Sequence, residues 1–280
     1  MENLRGDIRE SMEAKIQDYF ARINFQDKAE VDLKTLTKLQ LCHTSSIAFE
    51  NIDSFTEQEV KIDSDSLFEK LVYRKRGGYC FEQNLLFYEV LKHLGFNVRP
   101  VAARVMIGYN EDEKPKRTHL LSLIDIDGAQ YLSDVGFGSN TPALPVKFIL
   151  EEEQENLHDT VRINKLGADY KFETKVVGEW KTLHCFNFDH VYNSDFELAN
   201  FYIYAHPTSK FRNRLMISKI IQEGRITLSD LNFSFYPYDG EIVKKTITTE
   251  EELEKFLLKE FELPEEVLSK KLLEKLNLLN

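Results

Sequence analysis

Three absences narrow the field before any motif is considered. The 280 residues contain only three cysteines, Cys42, Cys80 and Cys185; an odd number so widely spaced makes neither a disulfide framework nor a zinc pattern, so reduced thiols are expected. Positive charge is short: 36 Lys and Arg against 47 Asp and Glu leave a formal net charge of -11 at pH 7. That balance argues against nucleic acid and against membrane as default partners, since anionic polymers and anionic lipid both require a basic surface. No apolar run approaches the ~18 residues of a membrane span, and the opening Met1-Glu2-Asn3-Leu4-Arg5-Gly6-Asp7 has no apolar core of the signal-peptide kind. A cytoplasmic location is the expectation. There is no HExxH, no Walker loop and no internal repeat, and the close-spaced glycines, Gly77-Gly78 and Gly136 with Gly138, are too few for a dinucleotide fingerprint. No metal is expected.

What is present is an ordinary globular composition, 42% apolar and 30% charged, in a chain long enough for two domains or one elaborated one. The stretch on which the rest turns is Arg74-Lys75-Arg76-Gly77-Gly78-Tyr79-Cys80-Phe81-Glu82-Gln83-Asn84. A basic, glycine-broken segment runs into a cysteine that opens a helical pattern, where the positive end of the helix dipole favours a thiolate. The two glycines give the turn backbone freedom to present Cys80. From there Phe81, Leu85 and Tyr88 share one stripe, Cys80, Asn84, Phe87 and Leu91 another, and Glu82, Glu89, Lys92 and His93 form a wet side; Gly95 stops the helix. The plain alternative is a thiol buried as a small hydrophobe. A base within reach decides between the two.

Before this segment the pattern is helical. Asp7 with Glu10 predicts a capping box for a first helix, a second runs from about Asp32 to His43, and a third begins at Ser66. Cys42 and His43 are adjacent on a helix and do not face each other, so they are expected in the core. After Gly95 the period becomes 2: Val101, Ala103, Val105 and Ile107 predict a strand starting after Pro100. Asp127-Gly128 between two alternating runs predicts a two-residue hairpin. Counting outward from that turn puts Leu121 opposite Asp134 and His119 opposite Gly136, so His119 and Asp134 become diagonal neighbours on one face, ~7–8 Å apart and within side-chain reach. Taken singly, either residue is more commonly a core or edge histidine and a surface acid; the register makes the pair. The small residues of Gly136-Phe137-Gly138-Ser139-Asn140 form either a plain turn or a place where a substrate approaches the backbone. Strands are expected at 160–164, 170–177 and 180–188, in a β-rich middle with a curled sheet or barrel. The aromatic run 200–211 is expected as a strand, followed by strands at 215–221, 226–228 and 242–247 and a helix capped by Thr249 and Glu252.

These motifs together resemble those of the arylamine N-acetyltransferase family. Arg76-Gly77-Gly78-Tyr79-Cys80-Phe81-Glu82 with Asn84 resembles its cysteine motif, Thr118-His119-Leu120-Leu121 its histidine motif, and Asp134-Val135-Gly136-Phe137-Gly138 its aspartate motif. Phe49-Glu50-Asn51-Ile52-Asp53 and residues 200–211 also match, with Ala48 in place of the family's usual proline. The resemblance implies an α+β fold: a helical bundle (1–94) carrying the cysteine, a β-barrel (95–206) carrying histidine and aspartate, and an α/β lid (207–280), with a cysteine-protease-like Cys-His-Asp arrangement. It implies acetyl-CoA as co-substrate, arylamines, arylhydrazines or N-hydroxyarylamines as acceptors, a ping-pong route through acetyl-Cys80, a place in xenobiotic metabolism, and a monomer or weak oligomer. Cys80, His119 and Asp134 become the triad, Phe49, Val105 and Phe137 the acceptor pocket, Glu50 and Arg76 a supporting ion pair, and Gly138, Thr208 and Ser209 the contacts to coenzyme A. The residues alone leave two other readings open. One is a Cys-His-Asp hydrolase or transglutaminase-like acyl transferase acting on peptides; the other is a binding module in which the three residues are only structural.

Overall fold

A computed structural model of the chain describes residues 11–157, 159–176 and 178–278. Each early helix starts on a side chain that accepts one of its unpaired N–H groups. Ser11 accepts from Ala14 to start Met12–Arg22, and Asp32 accepts from Thr35 at 2.7 Å to start Leu33–Ser46. Asp63 accepts from Ser66 at 3.0 Å to start Ser64–Leu67, which continues with a wider π turn to Tyr73. Ser66 is therefore a residue being capped and not the cap expected of it. The capping box expected at Asp7 and Glu10 lies outside the described residues. Helix Cys80–His93 begins at the expected cysteine, and Gly95 beyond its end takes φ +92°, the left-handed conformation of a terminating glycine. One expectation fails on this helix: Glu82 is buried, not wet.

The larger sheet is antiparallel, with strands β2 (Asn97–Val105), β3 (Arg117–Ile126), β4 (Ala129–Ser133), β5 (Val146–Lys147), β6 (Gln154–Asn156), β7 (Asp159–Leu166), β8 (Asp169–Val176) and β9 (Glu179–Phe186) in the order β5-β4-β3-β2-β9-β8-β7-β6. Strand β2 starts at Asn97, ahead of Pro100 and not after it. Proline is tolerated inside it because β9 pairs only with Ala103, Arg104 and Val105, so on that side Pro100 sits on a free edge that asks no N–H of it. The two ends of the sheet meet where Asn156 bonds both the N–H and the carbonyl of Leu144 and where Leu150 bridges Ile163, which curls the sheet nearly closed around Val101, Leu121, Ile163 and Phe172.

A second, five-stranded sheet has the order β1-β10-β11-β12-β13, from β1 (Phe49–Glu50), β10 (Met216–Ile221), β11 (Gly224–Ser229), β12 (Asn232–Pro237) and β13 (Val243–Thr246). Its first strand belongs to the N-terminal part of the chain, so the sheet is tied across the molecule. The aromatic run expected as a strand is instead mostly helix, Asn193–Ala205, followed by a short helix Lys210–Asn213. Aromatic side chains favour strands only as a weak prior. Here burial of Phe196, Asn200 and Ile203 at helical spacing decides, and Asp195 accepts from the Tyr192 N–H at 2.8 Å to start the helix. No helix among the described residues is long and apolar enough to cross a membrane.

Candidate active site

The cysteine reaches its place through close backbone approach. Segment 77–78 lies alongside β1, with the Gly78 N–H donating to Ala48 O at 3.3 Å and the Glu50 N–H donating to Gly78 O at 3.1 Å. A Cβ on Gly77 would stand 2.2 Å from Ala48 O. The glycine is required for proximity and not for an unusual turn, since neither Gly77 nor Gly78 has a positive φ. Beneath this segment runs a buried charge network. Arg76 donates to Glu50 at 2.7 Å and to Asp53 at 2.8 Å, and Lys70 reaches Asp53 at 2.7 Å and Glu82 at 2.6 Å. Glu82 also accepts the Tyr79 N–H at 3.0 Å, which fixes the first turn of the helix behind Cys80. The Glu50–Arg76 pair implied by the resemblance is thus present, within a larger cluster.

Cys80 is buried, and its thiol donates to Thr118 O at 3.6 Å, one residue from His119. Burial pushes the thiol well up from its ordinary pKa, and the nearby Asp134 charge adds to this; the Phe81 N–H at the helix start pulls the other way without prevailing. A solitary thiolate is therefore disfavoured here. It becomes accessible when a neighbour takes the proton and remains beside it as a cation.

The candidate for that neighbour is His119, buried on β3 with Nε2 bonded to Asp134 Oδ2 at 2.6 Å, which leaves Nδ1 outside that bond. The hairpin that brings them together has the expected turn, with Asp127 at φ +51° and Gly128 at φ +79°. Its ladder runs from Ile126 with Ala129 to Ser122 with Ser133 and ends one pair before Leu121 and Asp134. Asp134 leaves the ladder because its other oxygen, Oδ1, accepts from Asn84 Nδ2 at 2.9 Å and from the Gly136 N–H at 2.9 Å. Burial alone would raise the Asp134 carboxyl; His119, His184 and Asn84 together bring it below its ordinary value. Asn84 also donates to Leu120 O at 2.7 Å and accepts the Val135 N–H at 3.0 Å, so one side chain on the cysteine helix clamps both strands of the hairpin. Its spacing four residues after Cys80 is the sequence signal for this role.

Cys80 and His119 line a cavity of about 800 Å³. Phe49, Val105 and Phe137 form part of its wall, as do Gly138, Thr208 and Ser209; Asp134 stands behind His119 and not on the surface. The Phe137 ring meets the His119 ring edge-on at 4.9 Å. The Ser209 hydroxyl is already engaged, donating to Ile203 O and accepting the Phe211 N–H at the start of its short helix. Lys114, Lys116 and Lys210 also line the cavity, and Lys116 Nζ lies 4.8 Å over the Tyr202 ring. Arg225 on β11 binds the carbonyls of Ser139 and Thr141 and, at 2.9 Å, Asp159, which fixes the loop after Asp134 to the second sheet. His43 lies outside the cavity wall, its two nitrogens bonded to Tyr19 at 2.8 Å and Gln83 at 3.0 Å, a core residue as expected. Among the described residues no group of three His, Cys, Asp or Glu side chains is placed to hold a metal ion.

Residues 32–269 match the family model described as N-acetyltransferase. The arylamine N-acetyltransferase of Escherichia coli (strain K12) is 36% identical over 222 residues, 79% of either chain. The Salmonella typhimurium arylamine N-acetyltransferase / N-hydroxyarylamine O-acetyltransferase is 33% identical over 235 residues, 84% of this chain and 83% of that one. Among solved structures, arylamine N-acetyltransferase from Salmonella typhimurium superposes with a TM-score of 0.88 at 30% identity over 95% of this chain and 98% of that one. The Mycobacterium marinum arylamine N-acetyltransferase in complex with CoA gives a TM-score of 0.88 at 28% identity, over 95% and 100% of the two chains.

Proposed function

Because the chain belongs to the arylamine N-acetyltransferase family, we propose that it carries acetyl groups from acetyl-CoA through Cys80 to the nitrogen of arylamines and arylhydrazines, and to the oxygen of N-hydroxyarylamines. The observation that carries this reading is His119, hydrogen-bonded to Asp134 behind it, at the wall of the same cavity as the buried Cys80 thiol. The cavity's other features agree with the substrates. Lysines 114, 116 and 210 stand on it in a chain of net charge -11, a local excess of cations suited to the phosphates of coenzyme A. Phe49, Val105 and Phe137 offer an apolar, partly aromatic wall to an aryl ring.

In the first half-reaction His119 takes the Cys80 proton at Nδ1 and becomes an imidazolium held by the Asp134 carboxylate. The Cys80 thiolate attacks the thioester carbonyl; the bond from that carbon to the coenzyme A sulfur breaks, and His119 returns the proton to the departing thiolate. The second half-reaction reverses the roles. The acceptor nitrogen attacks acetyl-Cys80, His119 takes a proton from it, and Cys80 leaves as the thiolate paired with His119. One site serves both halves, so steady-state kinetics should be ping-pong. Double-reciprocal plots against arylamine at several acetyl-CoA concentrations should give parallel lines; lines that intersect to the left of the ordinate would defeat the covalent route.

A further inference from the structure

Resting on the acyl-transfer reading, we propose that His184 is a positioning residue for His119, a neutral imidazole that supports the imidazolium formed when Cys80 gives up its proton. His184 stands on β9, opposite Val105 of β2 and Phe172 of β8. Its ring stacks on Phe172 at 5.0 Å with planes 9° apart, and lies 5.5 Å from the His119 ring and 5.4 Å from Phe137. It is 2% exposed, and its Nδ1 has no hydrogen-bond partner among the described residues.

An unpaired nitrogen among Phe137, Phe172 and Phe186 is an expense that a fourth phenyl ring would avoid. The group that gains from a polar ring at this spot is His119. The titratable groups that face His184 are His119 on β3 and Asp134 beyond β4; its strand neighbours Val105 and Phe172 carry no charge. Burial, together with the neighbouring His119, pulls its pKa down to about 3, against the opposing pull of Asp134. His184 therefore stays uncharged when His119 is protonated. It neither repels the imidazolium nor competes for the carboxylate, and its polar ring is held beside the charge that appears on His119.

The test is the rate of Cys80 alkylation by iodoacetamide as a function of pH, measured without acetyl-CoA. His184→Phe keeps the stack and removes the polarity. It should melt cooperatively, alkylate about tenfold more slowly than wild type at neutral pH, and have its acid limb moved down by about one pH unit. His184→Asn keeps polarity without the aromatic stack, and its curve should stay within about threefold of wild type. A folded His184→Phe protein whose curve superimposes on wild type overturns the proposal. So does His184→Asn moving the curve as far as the phenylalanine is predicted to, because packing alone would then be responsible; this second comparison serves if His184→Phe does not fold. No substrate takes part, so a wild-type enzyme that never acetylates would end the acyl-transfer reading and leave this result standing.

Discussion

Replacing Asp134 with asparagine removes one charge and leaves the shape of the side chain. The carboxylate accepts three hydrogen bonds: from His119 on Oδ2, and from Asn84 and the Gly136 N–H on Oδ1. If the asparagine oxygen keeps the two donors on the Oδ1 side, its NH₂ faces His119 Nε2. That nitrogen must then accept, which moves the ring proton to Nδ1, the position that has to receive the Cys80 proton. If the amide turns the other way, the NH₂ meets two donors. The first arrangement keeps its hydrogen bonds at the cost of the tautomer; the second leaves buried donors without an acceptor, at about 1–3 kcal/mol of stability for each. The catalytic loss is larger. An imidazolium about 4 Å from a carboxylate gains about 4 kcal/mol at an effective dielectric of about 20. Losing roughly that support for the ion-pair state should slow acetylation by about two to three powers of ten. The assay is rapid-quench intact-mass measurement of acetyl-enzyme at neutral pH, with thermal melts on the same preparations. Acetylation within about fivefold of wild type in a folded Asp134→Asn protein would show the reasoning about charge and tautomer to be wrong.

Three further outcomes follow from other parts of the molecule. Phe137→Ala enlarges the cavity beside His119; relative rates among aromatic amines should change by about tenfold or more while acetylation of Cys80 by acetyl-CoA stays nearly unchanged, and a parallel fall in acetylation would move Phe137 to the donor site. Arg76→Ala leaves Glu50 and Asp53 facing each other without their shared guanidinium; denaturant melts should register a loss of about 3–5 kcal/mol, and a loss below about 1 kcal/mol would contradict the buried-network account. His43, held neutral by burial with its pKa near 3 despite support from Gln83, binds a proton in the unfolded chain from about pH 6.5 downward but not in the native one. Its contribution is therefore complete above that pH and is lost as pH falls. The stability advantage of wild type over His43→Gln should shrink by about 2 kcal/mol between about pH 6.5 and about pH 5, and a constant gap would refute it.

How much of this was legible in the sequence depended on how local the cause was. The Asp127-Gly128 turn fixes its own geometry, so the register that brings His119 toward Asp134 could be counted from residue types alone. The cysteine helix was likewise bounded by local signals, from Cys80 to Gly95. The failures have non-local causes. Glu82 fits a wet helical face by spacing, yet Lys70, from a separate helical segment, draws it inside. The run 200–211 is rich in strand-forming aromatics, but the helix containing it starts at Asn193 and is decided by what Phe196 and Ile203 pack against. Strand Asn232–Pro237 lies between two expected strands with no turn signal of its own kind to mark it, although its Phe233 and Phe235 alternate. His184 carried no motif at all, and only the pairing of β9 with the far side of β2 puts it beside His119.

The central claim is that the acetyl group passes through one sulfur. Incubating the protein with acetyl-CoA and no acceptor, then quenching and weighing the intact chain and its peptides, tests this directly. One acetyl group per chain, on the peptide containing Cys80, lost in Cys80→Ser and discharged by added arylamine, is the predicted result. A protein that acetylates arylamines steadily while Cys80 remains an unmodified thiol at every time sampled would contradict it.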